Sequence, residues 1–282
     1  MGGRVDVEEG AVAGDESLAR RVSRRGVELV EAAVPAEEPL AIEINGRTLA
    51  VLMRTPGDEK ALALGYCLSE GLLRSLSDVL LLHHCGTAEE EIPEAEGPLA
   101  GRNRVRLLVT PEAEAALPET PAARWVFSGC AGVDVAALGA DLAVGREQLR
   151  VAPQMLWELV PSIARAQEAY RATGGIHAAA LADESGTLVA LAEDVGRHNA
   201  VDKVIGQAAL AGRSGVILVA TGRASSDIVA KAARAHIPVV ASFSSSTSLA
   251  VRLADAAGIT LAGYLRRNRF TVYTHPERIA AG

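Results

Sequence analysis

Short apolar runs alternate with amphipathic stretches of helical length through the second half of the chain. His177–Ala182 and Thr187–Ala192 read as strands around the turn Glu184–Ser185–Gly186. The pattern then becomes regular: helix His198–Ala211, strand Gly215–Ala220, helix Ser225–Ala235, strand Pro238–Phe243, helix Thr247–Ala257 and strand Ile259–Leu265. Runs of Val, Ile and Leu without polar alternation belong to strands covered on both faces. The spacing therefore predicts a buried, largely parallel sheet. Pro153 opens a helix expected to run to about Ala172.

The first half has a different rhythm. Pro39–Ile44 and Thr48–Arg54 are apolar-rich runs joined at Asn45–Gly46, a dipeptide that supplies the positive φ angles of a tight hairpin. Asp58 stands before a run of helix formers as an N-cap, and Gly71 as its stop. Val79–His84 and Arg104–Thr110 read as strands. Glu89–Gly101, acidic and holding Pro93 and Pro98, reads as a loop. Pro111–Ala123 reads as a connection between two lobes. The expected organisation is a mobile tail or loosely attached helix over residues 1–27, a small α+β domain over 28–124, a cysteine-bearing loop region over 125–150 and an α/β domain over 151–282.

Composition narrows the class. Of 282 residues, 49% are hydrophobic and 22% charged, which excludes wholesale disorder, and aromatics at 3% leave the core to Ala, Val, Leu and Ile. Three cysteines are too few for a disulfide framework. With no signal peptide and no uncharged apolar run long enough for a membrane span, a cytoplasmic location and no membrane partner are expected. The net charge of −7 argues against nucleic acid. That sum hides an asymmetry: Ala211–Gly282 holds nine Arg and Lys against three Asp and Glu. The excess suits either a local anionic ligand or a solvated arginine-bearing surface.

Four segments can carry chemistry. Cys130 lies in Ser128–Gly129–Cys130–Ala131–Gly132, where small residues expose the thiol and offer N–H donors to a thiolate, although most cysteines are small core residues. Cys67 sits in an apolar helix and reads as core. Cys85 follows His83–His84, but a metal site would need a second ligand cluster, so no metal is expected. Glu193–Lys203 places Asp194, Arg197, His198 and Lys203 at a strand-to-helix junction, where open α/β sheets bind ligands; capping and an i,i+4 ion pair are the plainer account. Gly222 and Arg223 sit at the next such junction, suited to phosphate. Phe270, Thr271, Val272, Tyr273, Thr274 and His275 follow the cluster Arg266–Arg267–Asn268–Arg269, as either a site for a phosphorylated ligand with a flat ring or an Arg-rich hairpin.

Together these segments resemble the formate dehydrogenase accessory sulfurtransferase family. The match runs in order from Glu38–Ile42 through Thr173–Ala179, Glu193–Lys203 and Gly222–Ser225 to Phe270–His275. The resemblance implies a cytidine-deaminase-like, three-layer C-terminal domain. It implies a sulfur carrier that takes sulfur from a cysteine desulfurase as a persulfide on Cys130. The recipient would be the molybdenum bis(molybdopterin guanine dinucleotide) cofactor of formate dehydrogenase, held as cargo at Phe270–His275. A homodimer is also implied. Many family members carry a second cysteine where this chain has Val133. A single cysteine can hold a persulfide but cannot expel its sulfur by closing a disulfide with a neighbour.

Two other functions are weighed on the same residues. Zinc deaminases need His-x-Glu and Pro-Cys-x-x-Cys. Here His177 is followed by Ala178 and Ala179, and the second motif is missing. A cofactor chaperone without sulfur transfer would keep the arginines and Tyr273 and lose the second cysteine.

Overall fold

The computed structural model describes residues 14–85, 103–117, 142–145 and 148–280. Three sheets organise them. The first is a two-stranded antiparallel ribbon of β1 (Gly14–Ser23) and β2 (Gly26–Pro35). Residues 14–27, expected in a tail, thus form β1 and the start of β2. The sequence-level pattern fails there because neither strand is buried enough to select apolar alternation.

The second sheet orders β3 (Glu38–Ile44), β4 (Arg47–Arg54), β5 (Val79–Cys85) and β6 (Arg104–Val109) as β4-β3-β6-β5. Asn45 and Gly46 take φ of 48° and 79°, making the predicted tight turn between β3 and β4. Helix α1 (Glu59–Ser69) covers one face, where Leu40, Ile42, Ile44, Val105 and Leu107 meet Leu62, Leu64 and Tyr66. Asp58 holds the N-cap position with φ 59° but does not cap with its side chain. Its carboxylate accepts from Gln207 Nε2 at 3.1 Å instead. The connection after β6 begins with a one-turn helix, α2 (Pro111–Ala115), capped by Thr110.

The third sheet is six-stranded. It holds β7 (His177–Ala182), β8 (Leu188–Asp194), β9 (Ile217–Ala220), β10 (Val239–Ser242), β11 (Thr260–Arg266) and β12 (Arg269–Val272). Their order is β12-β11-β10-β9-β7-β8. Only β9-β10 and β10-β11 pair in parallel; β7 runs against both its neighbours, and β12 against β11. The sheet is therefore mixed rather than largely parallel. Antiparallel β7 and β8 are joined by the short Asp183–Gly186 turn, which a parallel pair could not use. Because β7 is flanked on both sides antiparallel, β8 still points the same way as β9, β10 and β11.

Period-two alternation fills both faces. Ala178, Ala180, Ile217, Val219, Val239, Ala241 and Ala262 face α3 (Pro153–Ala166) through Leu156, Leu159 and Ile163. Ala179, Leu181, Leu218, Val240 and Leu261 face the other way. There they pack on α5 (Arg197–Leu210), α6 (Ser226–Arg234) and α7 (Ser248–Ala256). The helix opened by Pro153 stops at Ala166, not Ala172. The Glu193 carboxylate accepts from the N–H of Ala169 at 2.8 Å and of Tyr170 at 2.9 Å, restarting the chain as α4 (Glu168–Thr173).

The two larger sheets meet where α1 crosses α5 at backbone contact. A Cβ built on Gly65 would lie 1.8 Å from the Asp202 carbonyl oxygen, and one on Gly206 1.9 Å from that of Ala61. Two buried ionic networks flank the crossing. In one, Lys231 Nζ on α6 meets Asp202 Oδ1 at 2.9 Å, Glu70 Oε1 at 2.6 Å and Ser69 Oγ at 3.0 Å. In the other, Lys203 Nζ meets Asp194 Oδ2 at 2.8 Å and the Thr55 carbonyl at 2.9 Å.

Candidate functional site

Three successive crossovers deliver three helix starts to one edge of the six-stranded sheet. Helix α5 begins after β8, α6 after β9 and α7 after β10. Unpaired N–H groups and the positive end of each helix dipole make such an edge receptive to anions. The loops between them are clamped together. Ser242 Oγ donates to the Gly222 carbonyl at 2.7 Å, and Ala224 and Ser246 form a parallel bridge.

Gly222 lets the backbone come close at the centre of this edge. A Cβ there would stand 3.1 Å from Arg197 Cβ and 3.4 Å from His177 Nδ1. Arg197, Gly222 and His177 therefore share one corner. Next along the edge, Gly263 borders the Tyr273 ring, with a built Cβ 2.9 Å from its Cε2 and 3.4 Å from Ser246 Oγ. Buried side-chain atoms without a hydrogen-bond partner among the described residues gather here: Arg197 Nε, His198 Nε2, Ser225 Oγ and Ser246 Oγ. Leaving such a group unpaired costs about 1–3 kcal/mol, so a polar ligand that supplied partners would recover that energy.

Electrostatics favour neutral imidazoles beside the arginine. His198 is pushed down to about 4 by burial and by the cations of Arg197 and Lys231. Its Nε2 lies 3.7 Å from Asp227 Oδ2, beyond hydrogen-bond reach. His177 is lowered by burial and by Arg197. At neutral pH both rings offer a donor and an acceptor without charge, and Arg197 and exposed Arg223 supply the positive charge.

The residues singled out in the sequence divide by place. Arg197, His198, Gly222, Arg223 and Tyr273 come together along this edge. Asp194 and Lys203 do not face it. Asp194, fully buried, accepts from Asn199 at 3.0 Å and from the N–H of Gly196 at 2.8 Å and Thr55 at 3.2 Å, besides pairing with Lys203. Phe270 turns to the opposite face, where its ring lies 6.4 Å from that of Trp157. Val272 is half-buried in β12, and Thr271 is exposed opposite Gly263. Thr274 is buried and bonds the Ile259 carbonyl at 2.7 Å. His275 sits at the far edge, its Nε2 3.0 Å from the Asp255 carbonyl at the end of α7. Cys130 and Val133 lie outside the described residues.

The sequence does not single out His177 or Ser246 as candidates for this edge. His177 could have been found from the small residues after it: Ala178 and Ala180 leave room for α3, and the imidazole is the one polar group the strand brings to this edge. No helix among the described residues is long and apolar enough to cross a membrane.

The profile of the FdhD/NarQ family matches residues 35–280. The chain belongs to that family. It is 39% identical over 284 residues to the sulfur carrier protein FdhD of Anaeromyxobacter dehalogenans, covering 93% of this chain and 94% of that one. It is 40% identical over 257 residues to the FdhD of Streptomyces avermitilis, covering 87% and 88%. Among solved structures, a candidate formate dehydrogenase accessory protein from Desulfotalea psychrophila superposes with a TM-score of 0.73 at 24% identity. That match covers 95% of this chain and 100% of the other, and shows a shared mixed α/β fold.

Proposed function

We propose that this FdhD/NarQ chain carries sulfur to the molybdenum cofactor of formate dehydrogenase, with Cys130 as the carrier. The Cys130 thiolate attacks the outer sulfur of a cysteine desulfurase persulfide. The desulfurase S–S bond breaks, its own thiolate leaves, and the persulfide now sits on Cys130. No electrons are gained or lost in this exchange. A persulfide is more acidic than a thiol and stays anionic at neutral pH. Passing the sulfur to molybdenum as a sulfide ligand needs two electrons. With valine at position 133 no neighbouring thiol supplies them by closing a disulfide, so an external thiol or the cofactor does. A reducing cytoplasm keeps Cys130 free for this work.

The cargo is molybdenum bis(molybdopterin guanine dinucleotide). Its phosphates fit the starts of α5, α6 and α7 with Arg197 and Arg223, and Tyr273 offers a face for guanine. The observation that carries this reading is the gathering, on Arg197, His198, Ser225 and Ser246, of buried atoms that have no hydrogen-bond partner among the described residues. The antiparallel β7-β8 pair beside parallel β9-β10-β11, with helices on both faces, supports a cytidine-deaminase-like C-terminal domain. The protein works as a homodimer with desulfurase and formate dehydrogenase as its partners.

Two measurements test this. Mass spectrometry after incubation with a desulfurase and cysteine should show one added sulfur on Cys130. Calorimetry with guanosine diphosphate should show binding that Arg223→Ala weakens about tenfold to a hundredfold, the value of one charge-assisted hydrogen bond. Position 133 also favours a second reading, a cofactor chaperone without sulfur transfer. It predicts diphosphate binding with no sulfur on Cys130.

A further inference from the structure

Tyr264 holds a backbone conformation that does not suit its size. Its φ is 54°, in the left-handed region that favours glycine, and it lies inside β11. The other non-glycine residues with positive φ among the described residues are Asn45, Asp58, His236 and His275, which all stand in turns or at helix ends. A bulky residue keeps such a conformation only where its surroundings hold it, and positions of this kind gather at ligand clamps. Here the Tyr264 N–H donates to the Ser244 carbonyl at 2.9 Å. The Ser244 N–H donates in turn to Ser242 Oγ at 2.9 Å, and that hydroxyl to the Gly222 carbonyl at 2.7 Å. Tyr264 is thus tied into the same clamp that joins the loops of the candidate site.

The conformation re-aims the ring. Pairing between β11 and β12 slips between Gly263 and Arg266, the mark of a bulge. Ala262 and Leu265 both pack on the α3 face, whereas strict alternation would put Tyr264 there with Ala262. The extra residue leaves Tyr264 on the side of Gly263, where the Tyr273 ring lies against the α5–α7 layer. Tyr264 is 50% exposed there. Partial burial, and after it the Tyr264 hydroxyl, raise the Tyr273 hydroxyl above its ordinary value, so the two phenols stand within electrostatic reach of each other.

We propose that Tyr264 is a specificity-determining residue of this edge, the second aromatic wall that, with Tyr273, receives the flat ring of a purine nucleoside diphosphate. This rests on the nucleotide site proposed above and adds to it a residue outside the Phe270–His275 segment. The bulge gives up backbone comfort to bring a second ring to the side where the first one lies. Stacking acts on the base and leaves the phosphates to the helix starts and arginines, so Tyr264 governs which diphosphate binds rather than whether one does.

Calorimetry on the full chain with guanosine diphosphate and with inorganic pyrophosphate separates the two ends of the ligand. Tyr264→Ala should weaken the nucleotide about fivefold to a hundredfold, the value of one stacked base, and leave pyrophosphate unchanged. Tyr264→Phe should bind the nucleotide as the wild type does. Tyr264→Gly should bind it as weakly as Tyr264→Ala yet melt about 2–4 °C higher than that variant, because glycine alone relieves the left-handed backbone. At an ordinary strand position that order is reversed. Equal losses of nucleotide and pyrophosphate in Tyr264→Ala would overturn the ring wall and leave the phosphate edge standing. A Tyr264→Phe protein as weak as Tyr264→Ala would overturn it as well, by assigning the contact to the hydroxyl. A Tyr264→Gly protein less stable than Tyr264→Ala would overturn the held conformation on which the proposal is built. A wild type that binds neither probe would overturn the nucleotide site itself.

Discussion

Replacing Gly206 by alanine sets two effects against each other at one atom. Position 206 is interior to α5, where alanine is preferred over glycine by about 1 kcal/mol. On propensity alone the variant is more stable. The added methyl would, however, sit 1.9 Å from the Ala61 carbonyl oxygen, 2.6 Å from its carbon and 2.9 Å from its Cα. All three atoms are backbone, so no side chain can swing away. Carbon-to-oxygen contacts across helix interfaces settle near 3.3 Å, so α1 and α5 must part by roughly 1.4 Å. That separation loosens the packing of Leu62 and Leu64 and stretches the bond that Ser69 Oγ on α1 donates to Asp202 Oδ1 on α5, now 2.6 Å, beside Lys231. Overpacking commonly costs about 1–3 kcal/mol, and strain on a buried ion pair raises it to about 3–5. After the propensity gain, the net loss is about 2–4 kcal/mol. For a chain of this size that lowers the melting temperature by about 4–10 °C, readable by calorimetry. A Gly206→Ala protein as stable as the wild type, or more so, would refute the close crossing of α1 and α5.

Other expectations follow from the same coordinates. His198 titrates near 4 when folded and near 6.5 when unfolded, so between those values the unfolded chain binds the extra proton. Stability therefore falls as pH drops from about 6.5 to 4, by no more than about 3 kcal/mol, and His198→Gln should flatten the melting-temperature profile in that window. Lys231→Met leaves Asp202 buried and unpaired and should cost about 3–5 kcal/mol in denaturant unfolding, with much of the loss recovered by Lys231→Met combined with Asp202→Leu. Burial pushes the Cys67 thiol up to about 12, so iodoacetamide at neutral pH should label Cys130 and spare Cys67, as peptide mapping would show.

The sequence made the local elements legible where one chemical signal dominated. Asn45–Gly46 announced its turn by dihedral preference, and the apolar runs of β9, β10 and β11 announced burial on both faces. Strand direction was less accessible, because the register between β7 and β9 depends on residues about forty positions apart. The ribbon was missed because its exposed strands lack alternation tied to a core. At the candidate site, Arg197, His198, Gly222 and Arg223, each read from its position after a strand, lie along one edge of the sheet. That position could not distinguish a charge aimed at a ligand from one aimed inward. Asp194 and Lys203 carry the same residue types as a binding pair, but Thr55, about 140 positions earlier, holds them in the core. Phe270 and Tyr273 are close in sequence, yet the pleat of the strand and its end send them to opposite faces.

The ionic networks that join α1 and the Thr55 loop to α5 and α6 bear on how the gene can be cut. A fragment starting at Pro153 would retain every strand of the larger sheet but lose Thr55, Ser69 and Glu70. Lys203 would keep Asp194, Lys231 would keep Asp202 but lose Glu70, both would lose the roof that hides them, and Gly206 would line an open trough of bare backbone. The smaller lobe is synthesised first and presents α1 as a finished template when α5 leaves the ribosome. The amino-terminal lobe thus acts as a built-in folding partner for the carboxy-terminal one. Expressed as separate polypeptides, the halves should dissolve well only together.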